Sequence, residues 1–262
     1  MSLNTYLQNK RREIGFSHNF LTIIAMLSML IDHAALTLIR NGKLYGYDAT
    51  LYNNAISLPE AKKWIILYTL MRMIGRLAFP IFTFLIVEGF RKTSNLFKYI
   101  IRLVILAIVS EIPYDLMVFN EFMTNDCLQI QNVVFTYIIG IFLLIILRAI
   151  KQLPFIVSIF PVVAALYLAV LFKTDYAVEG IILMYIFYTF RHDLNIKCIL
   201  TIIVTFLMSL EHYYGAAALS VFFIYFYDGQ KGYIDLKRIH YVFYPLHMLI
   251  LYFIIYISNI NN

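Results

Sequence analysis

Long, predominantly apolar stretches dominate this chain. Six of them, at 20–39, 64–88, 97–118, 133–150, 154–172 and 240–257, reach the length of about 17–25 residues that crosses a hydrocarbon core roughly 30 Å thick. Three more, at 176–190, 197–210 and 215–227, are shorter and are separated by Arg191-His192-Asp193 and by Glu211-His212-Tyr213-Tyr214-Gly215. As spans they would be tilted, kinked or sheltered by neighbours. Composition closes off the alternatives: 62% of residues are apolar and 14% charged, against roughly half and a quarter in a soluble domain. With 22 Phe and 21 Tyr, the apolar surface exceeds what one core of 262 residues buries, and lipid must cover the rest. The expected fold is an all-α polytopic membrane helix bundle of about nine transmembrane helices, eight and ten being the neighbouring counts.

Charge along the chain orients that bundle. With nine spans, fourteen of the 21 Lys and Arg fall on the side of the N-terminus, five on the other side, and Arg72 and Arg76 inside a span. By the positive-inside rule the N-terminus is then cytoplasmic and the C-terminus outside. Residues 1–19 form a basic cytoplasmic segment, and the first span, which contains Asp32-His33, reads as retained rather than as a cleaved signal. The longest hydrophilic stretch is the outer loop 40–63, so residues 1–262 read as a single integral membrane domain. The net charge of +6 reflects topology and implies no nucleic acid. Cys127 and Cys198 fall on opposite faces, outside any CxxC or Cys/His set, and suggest neither disulfide nor zinc.

An ionisable side chain at the bilayer centre costs about 2.5–3.5 kcal/mol on insertion scales, so the charges inside the spans are the informative residues. Asp32 and His33 lie in the outer half of the first span. Arg72 and Arg76 stand one turn apart on one face of the second, and Glu111 and Asp115 repeat that spacing around Pro113 in the third. Gln131-Asn132, Asp175 with Glu179, and Glu211-His212 fall at the same outer level. Together they describe a polar chamber open to the outside. Pro80, Pro113 and Pro245 each lack an N–H and free the carbonyls of Arg76, Val109 and Tyr241, with a kink expected beside Arg76.

Two accounts of Asp32, Arg72, Arg76 and Glu111 stand side by side: an ion-pair network that ties three helices, or a site for a charged ligand held by the arginine forks. Asp32 and His33 point about 100° apart on a helix, so Asp32 is expected to pair with Arg76, leaving His33 free as a base. His247, placed toward the inner half of the last span, reads by residue type as an interhelical hydrogen bonder. Arg91, Lys92, Lys98 and Arg102 at the inner rim are first a topology signal and then a phosphate-binding surface. No Walker lysine, GxSxG elbow, HExxH or paired CxxC occurs, which removes ATP hydrolysis, serine hydrolysis and zinc proteolysis.

The chain resembles the TraX family of integral membrane proteins, named for a pilin acetylase of conjugative plasmids. The resemblance rests on Leu30-Ile31-Asp32-His33, on Gly75-Arg76-Leu77-Ala78-Phe79-Pro80-Ile81-Phe82 followed by Val87-Glu88-Gly89-Phe90, and on Ser110-Glu111-Ile112-Pro113-Tyr114-Asp115. Gln131-Asn132-Val133-Val134-Phe135-Thr136 and Tyr244-Pro245-Leu246-His247 extend it nearly end to end. It implies a multi-pass acetyltransferase of the bacterial cytoplasmic membrane that carries acetyl from cytosolic acetyl-CoA to a peptide amine or a glycan hydroxyl at the outer face. On that reading His33 is the base, and Arg76, oriented by Asp32 or Glu111, stabilises the oxyanion. Arg91, Lys92, Lys98 and Arg102, with Arg72, fall to acetyl-CoA, and Asp115, Asn132 and His247 to the acceptor or a relay, with no metal. A transporter or flippase, or a non-catalytic assembly subunit of a conjugation or secretion apparatus, is the alternative.

Overall fold

A computed structural model describes residues 15–122, 124, 129–233, 236 and 239–260. Readings that concern Cys127, Lys10, Arg11, Arg12, Lys237 and Arg238 lie outside these residues. Each of the nine apolar stretches is helical, as backbone in hydrocarbon requires, because only a helix or closed barrel satisfies its own N–H and C=O groups there. Among the described residues, four helical stretches are long and apolar enough to cross a membrane: His18–Lys43, Ala61–Lys92, which is interrupted at Arg76-Leu77, Leu194–Tyr213 and Ile239–Ser258.

Helix α1 (His18–Ala34) starts at Ser17, whose hydroxyl accepts the Phe20 N–H at 3.2 Å, and continues as a π-helix over Ala35–Lys43. The wider π turns begin directly after Asp32-His33, a placement common at functional sites. The outer loop 40–63 holds a short helix, α2 (Ala49–Ser57), capped by the Asp48 carboxylate. The second apolar stretch is two helices, α3 (Ala61–Gly75) and α4 (Ala78–Lys92), and the break falls at Arg76-Leu77. The interruption falls beside Arg76, where the kink is expected, but Pro80 sits in the first turn of α4, where its missing N–H would have no intrahelical partner anyway.

Helix α5 (Leu96–Phe119) runs through Pro113 without interruption and ends on Asn120 in the left-handed region, φ 58°. Then follow α6 (Val133–Ala149), α7 (Phe155–Leu171), α8 (Ala177–Thr189) and α9 (Leu194–Tyr213). A 3-10 turn at Ala216–Leu219 leads into α10 (Ser220–Tyr225), and α11 (Ile239–Ile260) closes the chain. Among the described residues the only β pairings are two single bridges, Phe16 with Tyr227 and Gln131 with Thr174.

Helix α1 packs on α3, α4 and α11, α5 joins α11 to α6, and α8 packs on α4, α6, α7 and α9. One apolar core fills the centre, with Leu21, Ile81, Phe84, Leu144, Met184 and Met248 buried. A second, smaller cluster of Ile39, Leu44 and Ala61 lies beneath Tyr52, Trp64 and Tyr68. Helix α7 buries only Ala165 and Ala169 and leaves Phe155, Phe160, Val163 and Tyr167 exposed, a surface suited to hydrocarbon rather than water.

Candidate functional site

The site begins with a glycine. A Cβ on Gly75 would lie 2.5 Å from Cγ of Asp32 and closer still to its Cβ and Oδ1, so only glycine lets α1 and α3 approach this closely. That approach sets Asp32 between two guanidinium groups. Arg72 donates to Oδ2 at 2.5 Å, and Nη2 of Arg76 lies 2.8 Å from both carboxylate oxygens. The expected Asp32–Arg76 pair is present, and Arg72 joins it. Glu111 does not: its Oε2 accepts from the backbone and side-chain N–H groups of Asn132, and Oε1 has no hydrogen-bond partner among the described residues. The network therefore ties α1 to α3, while Glu111 belongs to the α5–α6 contact, where Asn132 also donates to the Ala107 carbonyl at 2.9 Å.

Tyrosines frame the arginines. Tyr213, the last residue of α9, accepts from Nε of Arg72 at 3.1 Å, and its ring faces both guanidinium carbons at 5.5 and 5.1 Å. Tyr176 accepts from Nη1 of Arg76 at 2.5 Å and stacks on Phe79 at 3.9 Å. Nε of Arg76 is a buried donor with no partner among the described residues. Asp175 precedes Tyr176 in the turn between α7 and α8; burial pushes its carboxyl up to about 6, against the opposing charge of Arg76. Its backbone carbonyl accepts from the Thr136 hydroxyl at 2.5 Å, fixing that turn to α6. Glu211 and His212 are exposed and stand apart from this cluster; Tyr213 is the residue of that segment that enters it. Asp115 is buried in the α5 face.

His33 is not free. Its Nδ1 lies 2.7 Å from Nε2 of His247, and the two rings are within 4° of parallel with centroids 4.9 Å apart. Rings joined edge to edge through such a contact have centroids about 5 Å apart, so this is an in-plane hydrogen bond rather than a face-to-face stack. Nδ1 of His247 lies 2.7 Å from the Phe243 carbonyl, and the Phe243 ring stacks on His247 at 4.6 Å. His247, expected toward the inner half, meets His33 at one level. The Thr37 hydroxyl donates to the His33 carbonyl at the start of the π-helix.

Toward the basic end of the bundle lies an apolar cavity of about 650 Å³ among α1, α4, α5, α6 and α11. Its mouth carries His18, Lys92, Arg102, Lys231 and His240 together with Glu88, which pairs with Lys92 at 3.3 Å, and its depth is lined by Met29, Leu85, Leu103, Tyr137 and Tyr244. Met29 and Tyr244 lie one helical turn before His33 and His247, so the histidine pair stands just beyond the inner end of the cavity. Of the four basic rim residues, Lys92 and Arg102 line the cavity. Lys92 donates to Tyr227 at 2.8 Å and to the Gly229 carbonyl at 2.9 Å, and Arg91 pairs with Glu88. Lys98 is exposed on α5 outside the lining. Arg72 is part of the Asp32 clamp and not of the cavity. Among the described residues no group of His, Cys, Asp and Glu is arranged to hold a metal.

The family model described as TraX protein matches residues 17–255. The chain belongs to the TraX family. A curated relative in Dichelobacter nodosus, the probable fimbrial assembly protein FimC of serogroup H1, is 26% identical over 260 residues, covering 92% of this chain and 96% of that protein. No solved structure matches this TraX protein.

The segments that carry the resemblance converge in the TraX fold: Asp32-His33, Gly75-Arg76 and Tyr244–His247 form one connected cluster. Sequence reasoning missed Tyr176 and Tyr213, although each directly follows polar residues assigned to the chamber. It also missed Gly75 as a spacing requirement, which no side-chain chemistry announces.

Proposed function

We propose that this TraX protein is a membrane-embedded acetyltransferase that moves acetyl from cytosolic acetyl-CoA to an amine or hydroxyl at the outer face. Nine spans, an inside N-terminus and an outside C-terminus put the mouth of the cavity in the cytoplasm and the arginine–tyrosine cluster toward the exterior. The position of His33 carries the reading: it stands between the closed end of the cavity and the arginine clamp, where material from both sides would meet. Lys92 and Arg102, with Lys231 and the mouth histidines, fit the phosphates of coenzyme A, and the apolar depth fits its slender thioester arm. Acetyl-CoA supplies the acetyl group as an activated thioester.

His33 takes the proton from the acceptor as its nitrogen or oxygen attacks, and returns it to the departing sulfur. Arg76 presents its unpartnered Nε–H to the carbonyl oxygen that gains charge during attack, a role worth a few kcal/mol when the donor is preorganised. Asp32 holds that guanidinium through two oxygens and so fixes where the free N–H points.

The test is transfer of label from [14C]acetyl-CoA to membrane or cell-wall extract by protein purified in nanodiscs. Wild type should transfer; His33→Ala and His33→Gln, expressed at equal levels, should not. A second reading, a non-catalytic role in assembly, is favoured by the name of the Dichelobacter nodosus relative. Folded wild-type protein that neither binds acetyl-CoA nor transfers label would replace the enzyme with that reading.

A further inference from the structure

The histidine pair contains enough geometry to assign its protons. A carbonyl oxygen only accepts, so the 2.7 Å contact from His247 Nδ1 to the Phe243 carbonyl requires hydrogen on that nitrogen. A neutral imidazole with hydrogen on Nδ1 has a bare Nε2. That bare Nε2 is 2.7 Å from Nδ1 of His33, in the plane of both rings, so His33 must donate through Nδ1. The remaining nitrogen of His33, Nε2, then carries the lone pair.

We propose that His247 is a positioning residue that holds His33 as its Nδ1–H tautomer and thereby selects Nε2 as the nitrogen that takes the acceptor proton. The chain Phe243 carbonyl, His247, His33 does for this base what a buried carboxylate does for other catalytic histidines: it fixes tautomer and ring plane. Asp32, the adjacent carboxylate, is committed to Arg72 and Arg76 and is not the orienting group. Stacking by the Phe243 ring holds His247 in the plane that this hydrogen bond needs.

The assignment of protons stands on geometry alone; its catalytic consequence rests on the acetyltransferase reading. In the transfer step the acceptor N–H or O–H bond breaks as the Nε2–H bond forms on His33. The acceptor bonds to the acyl carbon, the carbon–sulfur bond breaks, and the proton on Nε2 passes to the sulfur. His247 keeps its Nδ1 proton throughout and forms no bond to acyl carbon.

Two measurements test this. First, imidazole 15N shifts of [15N]histidine-labelled protein in nanodiscs, assigned with His33→Gln and His247→Gln, should show hydrogen on Nδ1 and a bare Nε2 in both rings; hydrogen on Nε2 of neutral His33 overturns the proposal whatever the activity. Second, His247→Gln places an amide oxygen near the Nε2 position, where it accepts from His33 but carries no proton, whereas His247→Leu offers no acceptor. Leu should mix the His33 tautomers and lower kcat on the order of 10²-fold with KM for acetyl-CoA unchanged, and Gln should restore kcat to within about tenfold of wild type. Equal loss in the Gln and Leu variants would overturn positioning in favour of proton or acyl transfer through His247. A wild type that transfers no acetyl removes the acetyltransferase reading, and the 15N shifts still decide the tautomer.

Discussion

Gly75→Ala tests whether close helix approach is what builds the site. The added Cβ would sit 2.5 Å from Cγ of Asp32, against about 3.5–4.0 Å for carbon atoms in contact, so α1 and α3 must part by roughly 1–1.5 Å. Cγ lies on a short side chain pinned by three hydrogen bonds to two arginines and has no rotamer to retreat into without breaking them. Overpacking of this kind costs about 1–3 kcal/mol, which for a chain of this size lowers Tm by roughly 2–12 °C at about 2–4 °C per kcal/mol. A displacement near 1 Å at the reacting groups should lower acetyl transfer on the order of 10²-fold. Gly140→Ala is the control. Its Cβ would also collide with a neighbour, 2.7 Å from Cε of Met184 and closer still to its Sδ, but that collision falls on a flexible, unbranched thioether rather than on the hydrogen-bonded Asp32. Thermal unfolding in detergent and [14C]acetyl transfer should thus separate the two alanines. Equal Tm and equal transfer in both would refute the claim that the Gly75–Asp32 approach positions the site.

Three further outcomes follow from the same contacts. Asp32→Asn leaves Arg72 and Arg76 without their shared countercharge, and removing one partner of a largely buried pair should cost about 3–5 kcal/mol, read as a fall in Tm and in expression. Arg76→Lys keeps a charge but cannot hold Asp32 and Tyr176 at once while offering a further N–H; acetyl transfer should fall about 10²–10³-fold with the protein still folded. The Asp175 carboxyl is held at about 6, above its ordinary 3.8, so ionisation costs more in the folded protein than in the unfolded one. Its contribution to stability is greatest at low pH and is lost as pH rises through about 6; Asp175→Asn should flatten the decline of Tm between about pH 4 and pH 7.

The helices were legible because hydrocarbon leaves the backbone no other solution: all nine apolar stretches are helical within a few residues of where their composition places them. Details that depend on tertiary contacts were not legible. Nothing in Ala35–Lys43 announces a π-helix, and the break at Arg76-Leu77 precedes Pro80 because proline is content in a first helical turn. In the site, the Asp32–Arg76 pair followed from the spacing of charges on helix faces. The partnership of His33 with His247 did not, because the relative depth of two helices is set by packing, and counting residues from each end put in opposite halves two side chains that meet. Glu111 was misjudged for a related reason: an i,i+4 carboxylate pair names a face of α5 but not the helix which that face meets, and α6 presents Asn132 to it.

The arginine cluster also bears on whether this constellation is only a brace between helices. As a brace it would be complete if every N–H had an acceptor, since a buried polar donor left unpaired costs about 1–3 kcal/mol and more when charged. Asp32 and Tyr213 accept from Arg72, and Asp32 and Tyr176 accept from the two Nη groups of Arg76, yet its buried Nε meets no acceptor among the described residues. Bracing explains the two Nη groups, which hold Asp32 and Tyr176 at once as a lysine could not, but it gives no reason for leaving the buried Nε without an acceptor. A ligand oxygen that arrives at Nε during turnover does give one: the donor is held ready by contacts made elsewhere on the same rigid fork. That division of labour, with Asp32 and Tyr176 fixing the guanidinium and Nε left for the visiting atom, favours the enzyme over the brace.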